Sequence, residues 1–131
     1  MDRGASLIAA RVFGALSLVA AAFQLAIAAG APWGHLTMGG AFPGRLPSPM
    51  RLAAIGQALV LLLFAAVVAA RARLLFDRWH AVSRTLVWVV VAYTVVGVVL
   101  NAITPSPWER ALWLPVLLVL CTCAVVTART P

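Results

Sequence analysis

Apolar and polar positions along this chain alternate on a long scale: four extended apolar runs are separated by shorter segments that hold most of the charge, glycine and proline. The runs cover residues 12–29, 52–70, 85–103 and 111–128. Each is close to the ~20 residues that a helix needs to cross a bilayer. The first contains only Ser17 and Gln24 as polar members, and Gly56 and Gln57 are the main departures from bulk apolar character in the second. The third is rich in β-branched residues, which in water favours a strand. In lipid a lone strand leaves its backbone groups unpaired, so the same residues predict a helix. The fourth carries Pro115 in its first turns, where a proline is tolerated more easily than in mid-helix. The pattern predicts an all-α polytopic membrane protein: one domain over residues 1–131, a four-transmembrane-helix bundle built from two helical hairpins, connected by segments 30–51, 71–84 and 104–110.

Composition agrees that a bilayer is the solvent, because 64% of residues are hydrophobic, 10% are charged and mean hydropathy is +1.05. Only Asp2, Asp77 and Glu109 oppose ten basic residues, all of them Arg, for a formal charge of +7. Such an excess can mark a nucleic-acid binder, but here the arginines stand at the ends of the apolar runs, where they anchor helices and set topology; no nucleic-acid partner is expected. Seven of them (Arg3, Arg11, Arg71, Arg73, Arg78, Arg84, Arg129) fall on the side of the termini and three (Arg45, Arg51, Arg110) on the other. That bias predicts cytoplasmic N- and C-termini, with 30–51 and 104–110 facing outward and 71–84 inward, in a bacterial inner (plasma) membrane. Arg3 and Arg11 ahead of an apolar run ending Ala26, Ile27, Ala28 also fit a secretory signal, but the run exceeds a usual signal core, and the uncleaved reading is preferred. Ala10, Gly14, Ala22, Ala26 and Gly30 recur at four and eight residues, interrupted by Leu18. One side of the first helix is therefore thin, and close packing on another helix is its expected use.

Candidate chemistry gathers near the outward ends. Gln24 and Gln57 each lie six residues from the outer end of their run, about 9 Å below it at ~1.5 Å per residue. Asn101 lies near the outward end of the third run, with Gly97 and Thr94 on its helical face. The three amides either hydrogen-bond across helices as packing glue, worth about 0.6–2 kcal/mol each, or line a pocket for a polar head group. Above them, Trp33 in the Gly/Pro-rich connection is a candidate lid. Arg45 has the fork geometry to clamp a phosphate or carboxylate, and Glu109 with His35 could exchange protons. The plainer expectation is a tie between Glu109 and Arg45 or Arg51 that pins the first outer connection onto the second. The candidate ligand-binding set is thus Gln24, Gln57, Asn101, Trp33, His35, Arg45 and Glu109. No catalytic set, cofactor motif or metal site is legible, since His35 and His80 are placed on opposite membrane sides. Cys121 and Cys123, two apart on a helix, diverge by about 200° and make no redox pair.

Trp33, Gly34, Gly39, Gly40, Leu46 and Pro47, together with Asn101, Ile103, Ser106, Glu109, Arg110, Trp113 and Pro115, form a pattern that resembles the outer connections of small uncharacterised bacterial four-helix integral membrane proteins. The resemblance implies architecture only and brings no activity, cofactor or assigned residue. A small-multidrug-transporter reading is excluded by the lack of Asp or Glu inside any run. The sequence favours a structural, interaction or accessory protein whose partners are the bilayer and a second copy or another membrane protein. The alternative is a binder or carrier of a lipid or small amphiphile in an outer-half pocket. A membrane enzyme working at the outer surface through His35, Glu109 and Arg45 is the least supported class.

Overall fold

A computed structural model describes residues 2–131 and places the four apolar runs in four long helices. These are α1 (Arg3–Ala28), α2 (Ser48–Arg71), α3 (His80–Ile103) and α4 (Pro107–Arg129), with single 3-10 turns at Gly34–Leu36, Met38–Gly40 and Asp77–Trp79. No strand occurs among the described residues, and all four helices are long and apolar enough to cross a membrane, as a multi-pass membrane protein requires.

The helices start and stop where local chemistry supplies partners for end groups, so they run past the apolar stretches. At the start of α1, Asp2 Oδ1 accepts from Gly4 N–H at 3.2 Å, which lets the helix form through the basic leader. Ser106 plays this part for α4, accepting from Glu109 N–H at 3.2 Å, with Pro107 at the first helical position where its missing N–H costs nothing. The sequence Ser106–Pro107–Trp108–Glu109 has the form of a capping box. Its glutamate is diverted, however, as described below. Helix α1 closes on Gly30, at φ 111°, with Ala31 N–H bonded to Ala26 C=O at 3.0 Å. Helix α2 closes in the same way, with Leu74 N–H on Ala69 C=O at 2.9 Å, but the left-handed position is held by Arg73 at φ 55°. Glycine is the residue that normally occupies this place.

Helix α1 packs on α2 and α4, and α3 on the same two, so the bundle reads α1–α2–α3–α4 around its axis with neighbours antiparallel. Lipid removes the hydrophobic drive that joins helices in water, and close contact between small side chains takes over. The core is accordingly alanine-rich: Ala9, Ala10 and Ala124 are buried around Phe13, Val68, Val87 and Val90, Ala58 with Ala20, Ala21 and Leu61, and Ala54 with Ile27 and Leu46. Along α3 the buried seam is Ser83, Val87, Val90 and Thr94, and its hydroxyls bond back into the helix, Ser83 Oγ to His80 C=O at 2.7 Å and Thr94 Oγ1 to Val90 C=O at 3.0 Å. Ser17 is the exception, with a buried hydroxyl that has no partner. Large side chains such as Ile8, Leu52, Val82 and Ile103 point outward, which suits lipid-facing positions.

Only the two ends of the thin stripe on α1 pack, with Ala10 and Gly30 buried. A Cβ at Gly14 meets nothing within 4 Å, and Ala22 is exposed. The buried face runs through Ser6, Ala9, Ala10, Phe13, Ser17, Ala20, Ala21 and Ile27, and so leaves the middle of the stripe outside. Phe13, 1% exposed, explains the rotation: a ring of this size finds most contacts at the bundle centre, and that outweighs the close approach the glycine would permit.

Candidate functional site

At the end of the bundle where α1 stops and α2 begins, the connection 31–47 folds back over the helices rather than standing away from them. Gly34 N–H bonds Gly44 C=O at 2.8 Å and draws the connection into a closed loop. No other residue fits there, since a Cβ at Gly34 would sit 1.8 Å from Phe42 C=O. Three side chains of the α3–α4 corner then hold the loop down. Ser106 Oγ donates to His35 C=O at 2.8 Å, Trp113 Nε1 donates to Leu36 C=O at 2.8 Å, and Glu109 Oε2 accepts from Gly39 N–H at 2.9 Å. The same carboxylate oxygen accepts from Thr104 Oγ1 at 2.5 Å. Gly39 can aim its N–H at Glu109 because it holds φ at 67°, a left-handed conformation with little steric cost only for glycine.

Beneath this loop lies a partly enclosed cavity of about 330 Å³. Its polar lining is Gln24 from α1, Gln57 from α2, Asn101 from α3 and Glu109 from α4, with Thr37 and Met38 of the loop above. Leu61, Val116, Leu117 and Leu120 give it an apolar floor. Each helix thus contributes one polar group to one space. Gln57 Oε1 accepts from Tyr93 Oη at 2.6 Å, a bond between α2 and α3 that uses its oxygen and not its amino group. Asn101 Nδ2 donates to Gly97 C=O of its own helix at 2.9 Å, so its carbonyl is the acceptor it presents. The cavity therefore offers both donors and acceptors above a greasy floor, the usual composition of a small-molecule site.

The other candidates lie off this cavity. Trp33 is 43% exposed and stacks on Phe23 at a centroid distance of 6.2 Å. The lid position it was expected to fill is taken by Thr37 and Met38, while Trp113, edge-on to Phe23 at 4.9 Å, forms part of the wall. His35 is half-buried, and its carbonyl, rather than its ring, holds the loop. The expected tie between Glu109 and Arg45 or Arg51 is replaced by the backbone contact to Gly39. Both arginines sit instead against Gly30: a Cβ there would lie 3.4 Å from Arg51 Nη2 and 3.8 Å from Arg45 Nε. At the C-terminal end of α1 their charge complements the helix dipole, and Arg51 Nε also donates to Leu46 C=O at 3.0 Å. Arg110 turns back to Thr104 C=O at 2.6 Å.

Sequence reasoning missed Tyr93, Thr37 and Thr104. Tyr93 had a signal, because it lies four and eight residues before Gly97 and Asn101 and thus on the same helical face. Thr37 and Thr104 had none, since their roles arise from the fold of two loops. Among the described residues no group of three or more His, Cys, Asp or Glu is arranged to hold a metal ion, and Cys121 and Cys123 are free thiols. No protein-family model matches the chain, and neither a curated protein nor a solved structure is detectably similar to it.

Proposed function

We propose that the chain binds a small amphiphile in the cavity under the 31–47 loop, with a polar head among Gln24, Gln57, Asn101 and Glu109 and an apolar part against Leu61, Leu117 and Leu120. The observation that carries this reading is the convergence of one polar side chain from each of four helices on a single space of about 330 Å³. Gln57 bonds Tyr93 and Asn101 bonds its own helix, but the amides do not bond one another and all line one volume. A size near 300 Å³ lies at the lower end of ordinary ligand pockets, which favours a small head group with a short apolar portion over a whole phospholipid. In the proposed topology the termini are cytoplasmic and the cavity opens in the outer half of a bacterial plasma membrane; seven arginines at one end of the bundle and three at the other support that orientation.

The test is extraction of metabolites and lipids from the purified protein, with mass spectrometry to find a bound species near one per chain. Gln57→Leu, which loses an interhelical bond at about 1–2 kcal/mol, and Asn101→Leu, which loses a bond within α3, should keep the fold and lose the bound species. Absence of any such species from the wild type, or its retention in both variants, overturns the reading. One observation favours the structural or accessory class that the sequence prefers: the Tyr93–Gln57 bond joins α2 to α3 as glue would. Under that reading Gln57→Leu loosens the α2–α3 contact and leaves co-purifying molecules unchanged.

A further inference from the structure

At the opposite end of the bundle a second, smaller and partly open cavity, about 120 Å³, is lined by Arg3, Ser6, Arg71, Arg73, His80, Thr130 and the terminal Pro131. Three arginines face one small space, and no carboxylate side chain lines it. Asp2, the acidic neighbour in sequence, is exposed and spends an oxygen on the start of α1. Arg71 is the anchor. It is 8% exposed at the end of α2, its Nη2 donates to Ala128 and Thr130 carbonyls at the end of α4, and its Nε is buried with no hydrogen-bond partner. Arg73 and Arg84 add further positive charge around it. A buried guanidinium that keeps a donor unpaired, among like charges, is costly unless an anion completes it.

Arg73 adds an independent observation. It holds the left-handed position that closes α2, at φ 55°, where glycine removes the steric cost. A strained arginine in place of an easy glycine, at a cavity that no Asp or Glu lines, makes sense if its guanidinium is used. His80, whose Nδ1 lies 3.2 Å from Ala70 C=O, leaves Nε2 as its second polar atom. Ser6 and Thr130 add hydroxyls.

We propose that this cavity binds an oxyanion of the phosphate class, clamped by Arg3, Arg71 and Arg73. Guanidinium forks match phosphate oxygens in geometry as well as charge. A basic cavity between helix ends at the arginine-rich face is also where an anionic phospholipid head would seat. The phosphate chemistry is shared by a phospholipid head and by free phosphate. The cavity is too small for acyl chains, so a lipid would place only its head there.

The test uses the full chain in detergent or in discs of phosphatidylcholine. Phosphatidylglycerol and inorganic phosphate are titrated separately, and binding is read by native mass spectrometry and by the shift in thermal unfolding. Wild type should prefer phosphatidylglycerol over phosphatidylcholine, or respond to millimolar phosphate; a response to the lipid alone identifies a head-group site, and a response to phosphate alone a soluble-anion site. Arg73→Gly is the decisive variant, since it should unfold at the same or a higher temperature than wild type while binding about tenfold more weakly. Arg3→Gln should weaken binding in the same direction. Arg78→Gln with Arg129→Gln removes two exposed arginines that do not line the cavity and should change binding little. Equal affinity for phosphatidylglycerol and phosphatidylcholine with no phosphate effect overturns the proposal. So does wild-type binding by Arg73→Gly, or an equal loss in the Arg78/Arg129 pair, which would indicate diffuse surface charge.

Discussion

Replacing Glu109 by Ala removes an acceptor that Gly39 N–H and Thr104 Oγ1 share. Hydrogen bonds to a charged group contribute about 1.5–3 kcal/mol, so Glu109→Ala should lower stability by about 2 kcal/mol. Amide exchange should rise at Gly39 and Gly40 while the helix centres remain protected. Ser17 predicts the opposite sign. Its hydroxyl is fully buried without a partner, and removing an unpaired polar group is neutral or favourable. Ser17→Ala should therefore raise the unfolding free energy by up to about 1 kcal/mol, measured by denaturation in mixed micelles; a loss above ~1 kcal/mol would show that the hydroxyl is bonded. At this scale Gln24, Gln57 and Asn101 were legible because an amide inside an apolar run is conspicuous. Glu109 was legible as a site but not in its partner. Charge pairing is visible in sequence, whereas a glycine N–H turned toward a carboxylate by φ 67° is not.

Helices were the most legible elements, since runs of about 18–20 apolar residues leave few alternatives in lipid. Their ends were less so. Caps at Asp2 and Ser106 and the prolines Pro49 and Pro107 extend the helices beyond the apolar runs, and such caps act whatever the hydrophobicity of the turn they close. The 31–47 connection was legible as a Gly/Pro-rich segment with a candidate lid at Trp33, but the cover is made by Thr37 and Met38. Gly34→Ala tests that cover, because the added carbon would approach Phe42 C=O to 1.8 Å and the loop must open to admit it. A destabilisation above about 2 kcal/mol is expected, together with faster proteolysis within 34–44. Unchanged protease resistance would mean that the backbone accommodates the methyl group.

For the molecule as a whole, the helix count and the hairpin order follow from the sequence, but the rotation of α1 does not. Small residues define a stripe on its surface, while Phe13 and the shape of three neighbouring helices decide which face turns inward. Orientation in the membrane is a separate matter of charge. With seven arginines at the Arg71 end and three at the Glu109 end, reporter fusions at Phe76 and after Arg129 should be cytoplasmic and one near Gly40 external. A cytoplasmic signal at Gly40 reverses the assignment and moves the 330 Å³ cavity to the inner leaflet.

The diverted capping box at the start of α4 gives the cover a second resting place for its bond. Ser106 accepts from Glu109 N–H, but the carboxylate that would ordinarily return to Ser106 N–H is spent on Gly39, and Ser106 N–H is left with a long contact of 3.4 Å to Thr104 Oγ1. Glu109 is thus an exchangeable latch. When the loop lifts, its carboxylate can complete the helix cap it now leaves unfinished, so most of the bond energy lost at Gly39 is recovered one helical turn away. The Glu109 contact then adds little to the cost of opening, which falls on the Ser106–His35 and Trp113–Leu36 bonds. Its signature is reciprocal: conditions that speed amide exchange at Gly39 should slow it at Ser106, and parallel changes at both amides would show that no such exchange of partners takes place.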